Sequence, residues 1–213
     1  MPLRTVGRRC DAGAVTADSE AESSELATDR LALVLCAVEE PLARAWANAV
    51  AERRDVWVHR GSVLDVDAQA VVSPANSYGW MRGGIDAVYA QTFPSVEQHV
   101  RSAVLAYHGG ELPVGQALIV PTDAPAPAWL ISAPTMREPG EVLPPDTVHP
   151  YLAARAVFRL WHDGRLEDDR PVRQVVRTIA LPGLGTGTGG VAPETCARQV
   201  MAAWDEVFDP TRP

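Results

Sequence analysis

Apolar residues recur along the chain in two rhythms, short unbroken runs and helical spacings, and the two rhythms alternate. Leu31 to Val38 is wholly apolar and is stopped by Glu39-Glu40-Pro41, which predicts a buried strand. Leu42 to Arg53 carries Leu42, Ala45, Trp46, Ala49 and Val50 at helical spacing. Val56 to His59 and Ala70 to Val72 read as strands, Ile85 to Thr92 and Ser95 to His108 as helices, with Gly109-Gly110 ending the second. Ala117 to Val120 and Trp129 to Ser132 are two further strands across the proline-rich turn Pro121 to Ala128. Arg137 to Asp146 is a second proline-rich loop, expected at the surface. Val148 to Trp161 is a helix closed by Asp163-Gly164, Val175 to Leu181 is the last strand, and Pro193 to Phe208 is a closing helix with proline in its first turn. Strands that alternate with helices in this way predict an α/β protein, a central mixed sheet covered by helices on both faces in three layers.

Residues 1–28 break the rhythm. They are rich in Ala, Ser, Glu, Asp and Thr with scarcely a large apolar side chain, and are expected to be a disordered tail ahead of one domain over residues 29–210. Met1 to Arg30 has no apolar core of signal-peptide length and the later run Leu31 to Val38 is too short to span a bilayer, so a soluble cytoplasmic protein is expected. The net charge of −8 argues against broad attraction to nucleic acid or anionic membrane. All 19 cationic residues are arginine, which excludes a lysine Schiff base and a G-K-[ST] phosphate loop. Cysteines 10, 36 and 196 are odd in number and widely spaced, which fits a reducing compartment rather than a disulfide framework. The histidines have no metal-ligand spacing, and no metal or cofactor is expected.

Two strand-to-helix junctions carry the chemistry. In Val71-Val-Ser-Pro-Ala-Asn-Ser-Tyr-Gly-Trp-Met-Arg-Gly-Gly-Ile-Asp86, a polar loop and two glycines separate an apolar strand from a helix start. The second, Ile179-Ala-Leu-Pro-Gly-Leu-Gly-Thr-Gly-Thr-Gly-Gly-Val-Ala-Pro193, repeats the plan with a denser set of glycines. Free N–H groups at such junctions bind phosphate without basic side chains. Gly183, Gly185, Gly187, Gly189 and Gly190 admit close approach, Thr186 and Thr188 add hydroxyls, and Gly83 and Gly84 can serve the opposite wall. The alternative is that these glycines only permit tight turns. Asn76 can bind ribose hydroxyls through its amide, and Asp86 can activate a water; alternatively Asn76 is a turn residue and Asp86 a helix-end charge.

The Asn-Ser loop, the following Gly-Gly-Ile-Asp and the Pro-then-glycine loop, in that order, resemble the macrodomain family from about Arg60 to Phe208. The resemblance implies a three-layer α/β/α macrodomain that binds ADP-ribose and, as an ADP-ribosyl hydrolase, releases mono-ADP-ribose from a modified acceptor. That acceptor is a protein carboxylate, a nucleobase or O-acetyl-ADP-ribose, so nucleic acid enters only as a modified substrate. Asn76 and Asp86 match the family's ribose-binding asparagine and the acidic residue of its hydrolytic members. Gly185 to Gly190 match its diphosphate loop. The implied ligand set is Ser62, Val63, Asn76, Gly83, Gly84, Gly183, Gly185, Thr186, Gly187, Thr188 and Gly189. Three positions depart from the pattern. Gly61-Ser62-Val63 stands where the family has Gly-Asp-Ile, Gly189 stands where an aromatic covers the distal ribose, and Arg82 replaces a glycine. Tyr78 or Trp80 is left to supply the ring face, and Arg82 either clamps an anion or is solvated. A non-catalytic ADP-ribose reader and a nucleotide-derived signal sensor are the competing functions.

Overall fold

The computed structural model describes residues 30–50 and 53–209, so the expected tail over residues 1–28 lies outside the described residues. The strands are β1 (Ala32–Ala37), β2 (Val56–Arg60), β3 (Ala70–Ser73), β4 (Leu118–Pro121), β5 (Trp129–Ser132) and β6 (Thr178–Leu181). The helices are α1 (Glu40–Ala49), α2 (Gly84–Thr92), α3 (Val96–His108), α4 (His149–Asp163), the single turn α5 (Val172–Val175) and α6 (Pro193–Phe208). One sheet runs in the order β2-β1-β6-β3-β5-β4, and only the β4–β5 pair is antiparallel. The mixed, three-layer α/β arrangement expected from the sequence is the one observed.

The strand pattern follows from burial on both faces of a parallel sheet. All four β3 side chains are buried. Ala70 and Val72 join the core beneath α1, α4 and α6, while Val71 joins the core beneath α2 and α3. Aromatic packing anchors the larger core: Trp204 and Phe208 lie 4.5 Å apart by ring centroid, and Phe158 meets Trp204 edge-on at 5.4 Å. Trp161 is buried among them and donates through Nε1 to the carbonyl of Val176 at 2.7 Å. Among the described residues, no helix is long and apolar enough to cross a membrane.

The structure amends three readings. Val175 to Leu181 is not one strand: Val172–Val175 turns helically after Pro171, and β6 begins only at Thr178. Val176, one of the β-branched residues that suggested a longer strand, is fully buried and plugs the core together with Val172 of the helical turn. Pro41 does not end β1 but occupies the first turn of α1, where its missing N–H costs nothing. The Arg137 to Asp146 loop is only partly superficial, because Leu143 is buried and its N–H donates to the Gly189 carbonyl at 2.9 Å. That loop therefore lies against the second glycine-rich junction. Since β6, β3 and β5 are neighbours, the segments leaving their carboxyl ends converge on one edge of the sheet, where open α/β sheets hold ligands.

Candidate functional site

The first loop is strapped down by pairing that outlasts β3. Ala133 donates to the Ser73 carbonyl at 3.0 Å, Thr135 to Ala75 at 2.9 Å, and Ser77 to Met136 at 3.1 Å. Within this strap the side chain of Asn76 organises its own loop. Its Oδ1 accepts the N–H groups of Tyr78 (3.2 Å) and Trp80 (3.3 Å), and its Nδ2 donates to the Trp80 carbonyl (2.7 Å). A carboxamide has two acceptor lone pairs and two N–H hydrogens. Both lone pairs are therefore committed, and one N–H remains for a ligand. Gly79 makes the turn possible: it sits at φ 71°, and a Cβ there would lie 2.7 Å from Val100 Cγ1 on α3.

Asp86 occupies the first turn of α2, after an exposed Gly83-Gly84. Its Oδ1 accepts a 2.6 Å hydrogen bond from the hydroxyl of Ser73, the last residue of β3. One turn on, the Tyr89 hydroxyl donates to the Val72 carbonyl at 3.0 Å, so two side-chain bonds pin α2 to β3. Asp86 is only 7% exposed. Burial pushes its carboxyl up to about 6; the Ser73 hydrogen bond opposes the rise and the charge of Glu97 adds to it. A carboxyl near neutrality beside a ligand-sized cleft is equipped to take a proton from water.

The second loop, Pro182 to Gly190, is held at its ends and open in its middle. Leu184 donates to the Cys196 sulfur at 3.3 Å, Gly190 to the Gly187 carbonyl at 3.0 Å and Val191 to Gly185 at 3.0 Å. Among the described residues, no group of the chain accepts the N–H of Thr186, Gly187, Thr188 or Gly189. Consecutive uncommitted amides at a helix entrance form a nest for an anion. The glycines divide by purpose. A Cβ on Gly189 would fall 2.6 Å from the Gly185 carbonyl oxygen, so the loop backbone requires this glycine, whereas one on Gly183 would fall 2.2 Å from Thr186 Oγ1 and would have to displace that side chain. Gly187 faces open space, with nothing within 4 Å of an added Cβ. Cys36 and Cys196 are buried thiols pushed up to about 12 by burial, which favours the neutral thiol over the thiolate.

These parts enclose a cleft of about 810 Å³, within the range of small-molecule sites. Asn76, Gly83, Gly84, Asp86, Gly183, Gly185, Thr186, Gly187, Thr188 and Gly189 all line it. Ser62 and Val63 do not. Ser62 closes a capping box with Asp65 around a 3₁₀ turn: its hydroxyl accepts the Leu64 N–H at 3.1 Å, and its own N–H donates to Asp65 at 3.0 Å. Val63 is 2% exposed in the core. Of the two aromatic candidates, Trp80 lines the cleft, whereas the Tyr78 hydroxyl points to Glu138 at 3.1 Å. Arg82 also lines it, its guanidinium 4.3 Å from the Trp80 ring centre. Sequence reasoning missed Ser73, although a serine ending a wholly apolar strand was a signal. It also missed Thr135, Met136, Pro139 and Gly140, the far wall of the cleft, for which long-range loop pairing left no local sign.

The fold agrees with what comparison with known proteins shows. The Macro domain family matches residues 72–200, more than half of the chain, and the chain belongs to that family. An uncharacterized protein of Aquifex aeolicus is 33% identical over 147 residues, covering 69% of this chain and 79% of the relative. A DNA ADP-ribosyl glycohydrolase of Mycobacterium tuberculosis is 23% identical over 151 residues, 70% of this chain but 38% of that protein. Among solved structures, the macrodomain of Mycobacterium tuberculosis DarG superposes with a TM-score of 0.56 at 22% identity, covering 71% of this chain and 90% of that one. The Oceanobacillus iheyensis macrodomain with MES bound gives 0.55 at 16% identity, covering 68% and 72%. The fold is that of a macrodomain.

Proposed function

We propose that this macrodomain binds ADP-ribose and hydrolyses the bond between its distal ribose and a modified acceptor. The observation that carries the reading is that a buried carboxyl and a run of uncommitted backbone amides share one cleft. The diphosphate sits on the amides of Thr186 to Gly189, with the first turn of α2 opposite. The remaining Nδ2 hydrogen of Asn76 donates to a distal ribose hydroxyl. Asp86 accepts a proton from water as the water oxygen bonds to the anomeric carbon. The bond from that carbon to the acceptor breaks, the acceptor takes up the proton that Asp86 then releases, and free ADP-ribose remains. The transition state is oxocarbenium-like, as in glycoside hydrolysis. With no lysine in the chain, attack is by water rather than through a Schiff base. The relative that acts as a DNA ADP-ribosyl glycohydrolase supports both ligand and reaction type.

The first experiment is a thermal-shift titration. ADP-ribose is expected to raise the melting temperature, and more than AMP does, since a ligand at a hundred times its Kd adds about 2.7 kcal/mol. No shift with ADP-ribose would remove the reading. Binding without release of ADP-ribose from protein, nucleic-acid or O-acetyl substrates would make the protein a reader instead.

A further inference from the structure

At the mouth of the cleft one indole holds two guanidinium groups. Arg101 on α3 has its Cζ 3.5 Å from the Trp80 ring centre, and Arg82 has its Cζ at 4.3 Å. Trp80 itself is fixed, since both its N–H and its carbonyl are held by the Asn76 amide. Several exposed arginines elsewhere sit against acids, Arg60 with Glu40, Arg137 with Glu111 and Arg170 with Asp168, each at 2.7 Å, while Arg198 reaches only the Thr195 hydroxyl. Among the described residues, Arg82 and Arg101 have no such partner, and Arg101 lies on the indole rather than beside Glu97, one helical turn back. Two adjacent cations without a carboxylate are costly for each other, and in a chain of net charge −8 they make a local reversal of sign.

We infer that Arg82 and Arg101, stacked on Trp80, form an acceptor subsite, and that the acceptor is a nucleic acid whose phosphodiesters flank the ADP-ribosylated nucleotide. This rests on the hydrolase reading above. Arg82 leads directly into the turn that carries Asp86, so the subsite borders the position of the scissile bond. Stacking fixes each guanidinium plane in advance and leaves N–H edges to fork onto a phosphate. The same planes extend the indole into a platform for an unstacked base, the mode in which proteins take single strands. An acidic peptide could fork its carboxylates onto the same guanidinium edges but offers no base to lie on the platform, and the peptide ligand in the test separates the two. The net negative charge of the protein opposes broad attraction to a polyanion, so binding is directed by the modification.

The test uses the full chain carrying Asp86→Asn, which keeps an acceptor for Ser73 while arresting turnover, and the same chain with Arg101→Glu added. Arg101 is exposed and outside the cleft lining, so the fold persists, as a melting curve will verify. The ligands are free ADP-ribose, a single-stranded oligonucleotide bearing ADP-ribose on a base, and a peptide bearing it on a glutamate. The subsite requires the oligonucleotide to bind more tightly than free ADP-ribose. Arg101→Glu should cost it about tenfold or more and lower its salt slope by roughly 0.7 for each phosphate no longer neutralised. Free ADP-ribose and the peptide should stay within about twofold, well under the 1.4 kcal/mol of a tenfold change. Equal loss for free ADP-ribose would overturn the proposal by placing the arginines on the diphosphate. Equal loss for the peptide would overturn it in favour of a protein acceptor. Oligonucleotide affinity no better than that of ADP-ribose would sink the subsite and leave the hydrolase reading intact, whereas no binding of ADP-ribose would sink the hydrolase reading itself.

Discussion

The hydroxyl of Ser73 donates to Oδ1 of Asp86 at 2.6 Å, joining the last residue of β3 to the first turn of α2. One carboxylate oxygen is thereby held by the sheet, and among the described residues the other has no partner in the chain. A donor to the charged form favours that form, so Ser73 counteracts the burial that raises Asp86. Replacing Ser73 by Ala should lift the Asp86 pKa above about 6, moving the acid limb of the pH–rate profile to higher pH and slowing release of ADP-ribose at neutrality. Ser73→Thr, which keeps the hydroxyl, should restore the wild-type limb. Single-turnover rates across pH decide this, and an unmoved limb in Ser73→Ala would detach Ser73 from the chemistry.

Asp86 also links stability to pH. Its folded pKa of about 6 lies above the ordinary carboxyl value, so between the two values the folded state holds a proton that the unfolded state has lost. The contribution of this group to stability therefore falls as pH rises through that window. At pH 8 the burial of the charge costs on the order of 3 kcal/mol, and below about pH 4 the cost vanishes. Asp86→Asn should accordingly melt higher than wild type at pH 8 and converge with it in acid. A wild type more stable than the variant at pH 8 would show that the carboxylate is stabilised by its surroundings rather than strained by them.

The glycines of the second loop should separate experimentally as they do geometrically. Gly187→Glu projects into open space, so the fold should persist, while charge and bulk against the amide nest should abolish ADP-ribose binding. Gly189→Ala meets the Gly185 carbonyl oxygen and should instead destabilise the protein by about 1–3 kcal/mol. Calorimetry beside thermal melting reads both effects. Normal binding in Gly187→Glu would move the diphosphate off this loop.

Much of this was legible in the sequence because local chemistry and global fold agree here. Wholly apolar runs mark strands buried on both faces, and the junctions at Asn76 to Asp86 and Gly183 to Gly190 face each other because β3 and β6 are neighbours. The sequence could not reveal that neighbour relation, since β6 is last in the chain yet lies inside the sheet. Ser62 adds a local pattern that the sequence also carried: Ser-Val-Leu-Asp is a capping box, and the structure forms it outside the cleft lining. Asn76 combines both readings, with a side chain that makes the turn and still keeps one donor for the cleft. The wall at Thr135 to Gly140 stayed invisible because its place depends on hydrogen bonds to residues some sixty positions away.

Asp86 as the group that handles water is the claim on which the proposed chemistry turns. The most direct measurement is single-turnover release of ADP-ribose from a substrate the wild type cleaves, made with Asp86→Ala alongside calorimetric binding of ADP-ribose. Binding should stay close to wild type while release slows by about 10²–10⁴-fold, the usual worth of general-base assistance. Release at the wild-type rate in Asp86→Ala would contradict the claim.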